Sequence, residues 1–276
     1  MRLSGYQPQY FPRLHYFARM LDSDIFTIAD YLQYVRKHAF KHPDGTSHNG
    51  SSYQAHMPLK SNNDIIELGI PVQRERFQKI KDAKIDYATL WFLKHLNTIR
   101  EHYQRAPYFE KTFAGVKSVL EARHETLGNL TNASILWSLS QVFETPVDAP
   151  YDRNDVFKGV LPREPFRLSR LIFLSEDIVR PADKSAGRDA NDWLIDQCAA
   201  FGANEYYFGG TSAAAYMDSE RFEKAGVKLV EQNWTCAPYP QLHGSFCANL
   251  SIVDLLMHVS PEEARKILHT PTVSAM

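Results

Sequence analysis

The chain opens with a short apolar run, Met1 to Gly5, that stops at Gln7-Pro8; Leu14, Phe17, Ala18 and Leu21 then fall on the spacing of a helix over Arg13 to Leu21. Asp24 to Ala29 (DIFTIA) reads as a second strand. Strand, turn, helix and strand in this order begin a parallel α/β sheet, whose ligands gather beyond the carboxyl ends of the strands. From Tyr31 to Asn63 the pattern turns polar, with Pro43-Asp44-Gly45 predicting the tip of a hairpin. Leu90, Leu93, Leu96 and Ile99 place a helix over Asp86 to His102, and further helices are expected over Tyr108 to His124 and Thr131 to Phe143. The stretch at about 86–145 is thus expected as a helical insertion. After a proline-broken loop from Pro146 to Pro165, strands at Leu171 to Leu174, Glu205 to Phe208 and Val227 to Val230 alternate with helices at Asn191 to Phe201 and after Gly209. A last helix covers Ser251 to Met257. The expected fold is α/β, one domain over residues 1–276 with a mostly parallel Rossmann-like sheet, an inserted helical segment and a polar hairpin.

Composition narrows the partners. At 276 residues and 44% hydrophobic content the chain can bury a sizeable core. Lysine plus arginine number 31 against 32 aspartate plus glutamate, so no global field points to nucleic acid or an anionic membrane. No apolar run approaches the ~20 residues of a membrane span, and no signal-peptide pattern opens the chain, so a cytoplasmic location is expected. Cys198, Cys236 and Cys247 are odd in number and lack CxxC spacing, the pattern of reduced thiols rather than of disulfides or structural zinc.

Two proline-bracketed aromatic segments carry the candidate chemistry. In QPQYFPRLHYF, Pro8 and Pro12 stiffen the backbone, so Gln7, Tyr10, His15 and Tyr16 can be held as polar groups on a pocket wall; the alternative is core packing with polar tips at the rim. In APYPQLHGSFCANLSIVDLL, Tyr239 lies between two prolines, Gln241 follows, and Ser251 precedes a helix bearing Asp254. Ser251 suits a helix cap, and Asp254, beside apolar positions, needs a partner if buried, as a structural anchor or an acid-base group. His95 lies between Leu93 and Leu96 on the helical wheel, a core-edge histidine or a general base. Gly209, Gly210 and Thr211 follow a strand and can present backbone N–H groups to an anion, or serve a tight turn and a cap. His38, His42, His48 and His56 crowd the polar hairpin; solvated loop histidines are expected, with a metal site including Asp30 as the alternative.

Together QPQYFPRLHYF, DIFTIAD, the Gln33-Tyr34 pair, HLNTIREHYQRAPYF and PYPQLHGSFCANLSIVDLL, in this order over nearly the whole chain, resemble the WbqC-like family. Its members occur mostly among bacterial genes for O-antigen and other surface sugars, and some are thought to attach an aminoacyl group such as glycine to an amino sugar; others accompany specialised-metabolite genes. The resemblance adds Asp30, Gln33, Tyr34 and Tyr108 to the expected substrate-binding residues. The chain departs from the pattern after Gln33-Tyr34, where VRKHAFKHPDGTSHNGSSYQAHMPLK replaces the usual tryptophan and Asn-Arg pair, and after the final apolar helix, where MHVSPEE stands.

The resemblance implies a transferase forming an amide between an activated acyl or aminoacyl donor, with aminoacyl-tRNA as one such donor, and the amine of a sugar nucleotide or small metabolite. No cofactor and no metal are expected. His95 or Asp254 would take the amine proton, with Tyr10 as a third catalytic group; Gln7, Tyr10, Tyr239 or Gln241 would supply oxyanion donors. Two alternatives stand beside it: an ATP-dependent activating or nucleotidyl-transferring enzyme, for which a histidine pair is missing, and a non-catalytic sugar- or nucleotide-binding module.

Overall fold

A computed structural model of the chain describes residues 1–41, 47–62, 64–146, 151–154, 156, 164–176, 187–209 and 216–269, with the backbone alone at 38–41 and 47–49. Five strands, β1 (Arg2–Tyr6), β2 (Ile25–Ile28), β7 (Arg170–Phe173), β8 (Glu205–Phe208) and β9 (Lys228–Glu231), form one parallel sheet in the order β7-β2-β1-β8-β9. The chain builds outward from β1 through β2 to β7, then returns to β1's other flank for β8 and β9. The direction of winding therefore reverses between β1 and β8. Four further strands make two antiparallel ribbons: β3 (Lys37–Lys41) with β4 (Ser47–Ser51), and β5 (His56–Lys60) with β6 (Ile65–Gly69). The predicted hairpin tip at Pro43-Asp44-Gly45 lies outside the described residues.

Alternation along the central strands covers both faces of the sheet. Phe26, Ile28, Leu171 and Phe173 join the larger core together with α1 (Leu14–Leu21), whereas Leu3, Ile25 and Ile172 join a second cluster with Leu194, Cys198 and Phe222. All four β2 residues are buried, as expected of a strand packed on both sides. Gly5 lets β1 and β2 approach at their carboxyl ends, because a Cβ there would stand 2.3 Å from Thr27 Oγ1.

The larger core is completed by α2 (Trp91–Tyr103), α3 (Phe109–Glu121) and α4 (Leu127–Phe143). The expected start of α2 at Asp86 is late in fact: Asp86 accepts a hydrogen bond from Ala88 N at 2.9 Å, a local turn that competes with helix. Helix α4 begins earlier than its apolar spacing suggests, capped by Thr126, and buries nearly its whole circumference. On the other side of the sheet lie α5 (Ala190–Phe201) and α6 (Ser219–Lys224), and the described chain ends with α7 (Ile252–His258) and α8 (Pro261–Leu268). No helix among the described residues is long and apolar enough to cross a membrane.

Candidate functional site

Where the winding reverses, the carboxyl ends of β1 and β8 splay and leave a cavity of about 270 Å³. Gly5 and Tyr6 of β1 with Gln7 after it, Thr27 of β2 with Ala29 beyond its end, and Tyr206 and Phe208 of β8 with Gly209 after it line it; Trp193, Leu194 and Gln197 of α5 close one side, and Arg19 and Tyr53 the other. Six of the sixteen described lining residues are aromatic, and no carboxylate, histidine, lysine or cysteine is among them.

Gln7 enters this cavity with its amide fixed. Val35 N donates to Gln54 Oε1 at 2.9 Å, so Gln54 must offer its Nε2, which donates to Gln7 Oε1 at 2.6 Å. The Tyr53 hydroxyl donates to the same oxygen. Gln7 Nε2 makes no hydrogen bond to any described residue, so the free donors of this amide are turned to the ligand side.

Arg19 sits on α1, a helix whose other buried positions are Leu14, Tyr16, Phe17, Ala18, Met20 and Leu21, and is itself only 4% exposed. Its Nε donates to Gln232 Oε1 at 2.9 Å, and its guanidinium carbon lies 4.8 Å from the centre of the Tyr6 ring. Asp22, the acid one helical turn away, is held instead by Arg2 at 2.8 Å. Gly209 makes room for the guanidinium, since a Cβ there would stand 2.5 Å from Arg19 Nη2.

The two proline-bracketed segments meet, beside this cavity rather than around it. Leu14 N donates to Leu250 O at 3.1 Å, Ile252 N to Pro12 O at 2.8 Å, and Ser251 Oγ to Phe11 O at 2.8 Å. Asn249 Oδ1 accepts from His15 N at 3.0 Å, and Arg13 Nη1 donates to the Asn249 carbonyl. Phe11, with φ at 41°, adopts a left-handed backbone that these bonds, with Phe11 N donating to Ser134 Oγ at 3.1 Å, hold in place. Ser251 also caps α7 through Val253 N.

Asp254 is the hub of this clasp and has no exposed surface. Oδ1 accepts from the Tyr239 hydroxyl at 2.7 Å and Gln241 Nε2 at 2.9 Å, and Oδ2 from the Tyr103 hydroxyl at 2.6 Å. Burial, then the charge of Asp254, pushes both tyrosines far above the ordinary phenol range. Gln241 also exchanges two hydrogen bonds with the Cys247 backbone. Tyr10 and His95 form a second buried pair, Tyr10 hydroxyl to Nδ1 at 3.1 Å. Burial pulls the His95 imidazole down to about 4, so it is neutral near pH 7.

The remaining predicted residues are dispersed. Tyr16 is buried with its ring 5.2 Å from that of Tyr6. Asp30 is buried and accepts from Ser175 N and Oγ at 2.9 and 2.6 Å and from Asn132 Nδ2 at 3.3 Å. Gln33 is exposed and bridges Lys79, Tyr34 N donates to Gln78 O at 2.9 Å, and Tyr108 precedes α3 at 37% exposure. Gly209 lines the cavity; Gly210 and Thr211 lie outside the described residues, as do the side chains of His38, His42 and His48. Among the described residues no three His, Cys, Asp or Glu converge as metal ligands.

Gln7, where the cavity's family-like lining begins, is also where the match to known sequences begins: the WbqC-like protein family matches residues 7–147 and 164–266. The chain belongs to that family. This WbqC-like protein is 24% identical over 260 residues to "Uncharacterized protein Rv1507c" of Mycobacterium tuberculosis (strain ATCC 25618 / H37Rv), a match covering 93% of each chain. No solved structure matches. Of the cavity residues, sequence reasoning singled out Gln7 and Gly209 and missed Arg19, Tyr6, Tyr53, Trp193, Gln197 and Tyr206. For Arg19 a signal existed: a lone charge inside an otherwise apolar helical stretch.

Proposed function

We propose that this WbqC-like protein is a transferase that forms an amide, moving an acyl or aminoacyl group onto the amine of a small acceptor, a sugar nucleotide or metabolite of surface-glycan or specialised metabolism. The observation that carries the reading is Gln7, the first family-matched residue, whose amide is preset as a donor at the cavity. In the reaction the acceptor nitrogen attacks the acyl carbonyl, a C–N bond forms, and the ester or thioester bond to the donor breaks. The displaced alcohol or thiol leaves with the proton released by the amine. The carbonyl oxygen gathers charge on the way, and Gln7 Nε2 is the donor placed to meet it. Tyr10, His95 and Asp254 act in this reading as positioning residues, holding the segment from which Gln7 projects. In this reading the amine enters neutral and the donor arrives activated.

The test is incubation with aminoacyl-tRNA or an acyl thioester and an amino-sugar nucleotide, with the amide followed by mass spectrometry. A product bearing the acyl group is expected, and Gln7→Leu should slow turnover by roughly 100-fold, with a stability loss of about 1–3 kcal/mol because Gln54 and Tyr53 lose their acceptor. A second reading is a binding module, supported by the aromatic rings among the lining residues, which offer flat faces to a sugar or base; binding of sugar nucleotides without any transfer would select it.

A further inference from the structure

We propose that the switch-point cavity takes an oxyanion, a phosphoryl or carboxylate group of its ligand, on the free end of Arg19. Nε is engaged by Gln232, which leaves Nη1 and Nη2 as a planar fork; among the described residues neither has a hydrogen-bond acceptor, and no carboxylate lies within ion-pair distance. A guanidinium cannot escape this by losing its proton, although burial pulls in that direction. A charge buried without a counter-ion is disfavoured unless something supplies one, and the fork matches the paired oxygens of a phosphoryl or carboxylate group. The surroundings agree. Gln197 is 2% exposed, lines the same cavity and has no side-chain hydrogen bond to a described residue, so its amide is a second donor for the anion. Two glycines shape the floor, Gly5 and Gly209, the second set against Arg19 so closely that any side chain there would displace the guanidinium.

The inference shares with amide transfer only the cavity, and a binding module would need the anion site as much as an enzyme. It is tested on isotope-labelled full-length protein titrated separately with inorganic phosphate and acetate against chloride at constant ionic strength. The Trp193 indole N–H signal, assigned by its loss in Trp193→Phe, is the reporter, because that ring lines the cavity. A saturable shift with phosphate alone assigns a phosphoryl group, with acetate alone a carboxylate, and with both a shared oxyanion site. Arg19→Met, which keeps the apolar stem, should weaken binding by about tenfold or more while retaining the folded Tm. Gly209→Ala should do the same with the charge intact; it decides the matter if Arg19→Met does not fold. Absence of saturable binding by either anion, or wild-type affinity in both variants, overturns the proposal. Loss of transfer activity with anion binding intact counts only against the transferase reading.

Discussion

Asp254 shows how a polar residue's role is decided by partners far away in the chain. Tyr103, Tyr239 and Gln241 surround it, the first from 151 positions upstream. Asp254→Asn replaces one acceptor by a donor facing donors, and we expect a loss of about 2 kcal/mol in chemical denaturation. A neutral result would mean that the tyrosine hydroxyls turn to compensate. His95 makes a second prediction. Its folded-state affinity for protons is lowered to about 4, from 6.5, by burial first and by nearby Lys94. The unfolded chain takes up the proton near pH 6.5 that the folded chain refuses until about 4. Stability is therefore full above pH 6.5 and declines toward pH 4, by about 3 kcal/mol for this group alone. His15, also lowered to about 4 mainly by burial and then by Arg19, adds to the same window. His95→Asn should flatten the slope of denaturation midpoint against pH; an unchanged slope would assign it elsewhere. From sequence, Asp254 was legible as a residue needing a partner if buried, but nothing local told whether Tyr103 would reach it.

At the level of elements, the strand, turn, helix and strand at the start were readable because apolar spacing and prolines act locally. The antiparallel ribbon of β5 and β6 was not: β6 reads IIELG, and its partner β5 contains a proline, so neither carries a plain alternating signature. Helix α8 was missed although Ser260 caps it through Glu263 N at 3.2 Å and Pro261 occupies its first turn, a start signal that sequence does contain. Ser260→Ala should cost about 1 kcal/mol in denaturation, since α8 packs on α1 and α4 through Ala264, Ile267 and Leu268. No effect would imply that the helix is held by packing alone. Alternation of strands and helices in the second half gave a parallel sheet, but not its order; strand order depends on which flank of β1 the chain returns to.

At the scale of the molecule, the cavity draws on residues from Gly5 to Met217, and no window of sequence contains it. What is legible there is the topology that makes a crevice, while its chemistry comes from residues such as Arg19 and Gln197 whose neighbours look apolar or ordinary. The even charge balance is consistent with a small-molecule ligand gripped by one local cation rather than by a broad field.

The clasp between Phe11 and Ser251 also bears on synthesis. A ribosome delivers the first strand and helix long before the last helices, yet the carbonyls of Phe11 and Pro12 and the amide of Leu14 find their partners only at residues 250–252. Nascent chains should therefore stay incompletely packed around the first turn until the final thirty residues emerge, dependent meanwhile on whatever shields apolar surface in the cell. A chain cut after Ala248 should fail to unfold cooperatively and should bind hydrophobic dyes, whereas the full chain should do neither. Stalled-ribosome protease protection that appears only past about residue 260 plus the exit-tunnel length would be the same closure seen during translation.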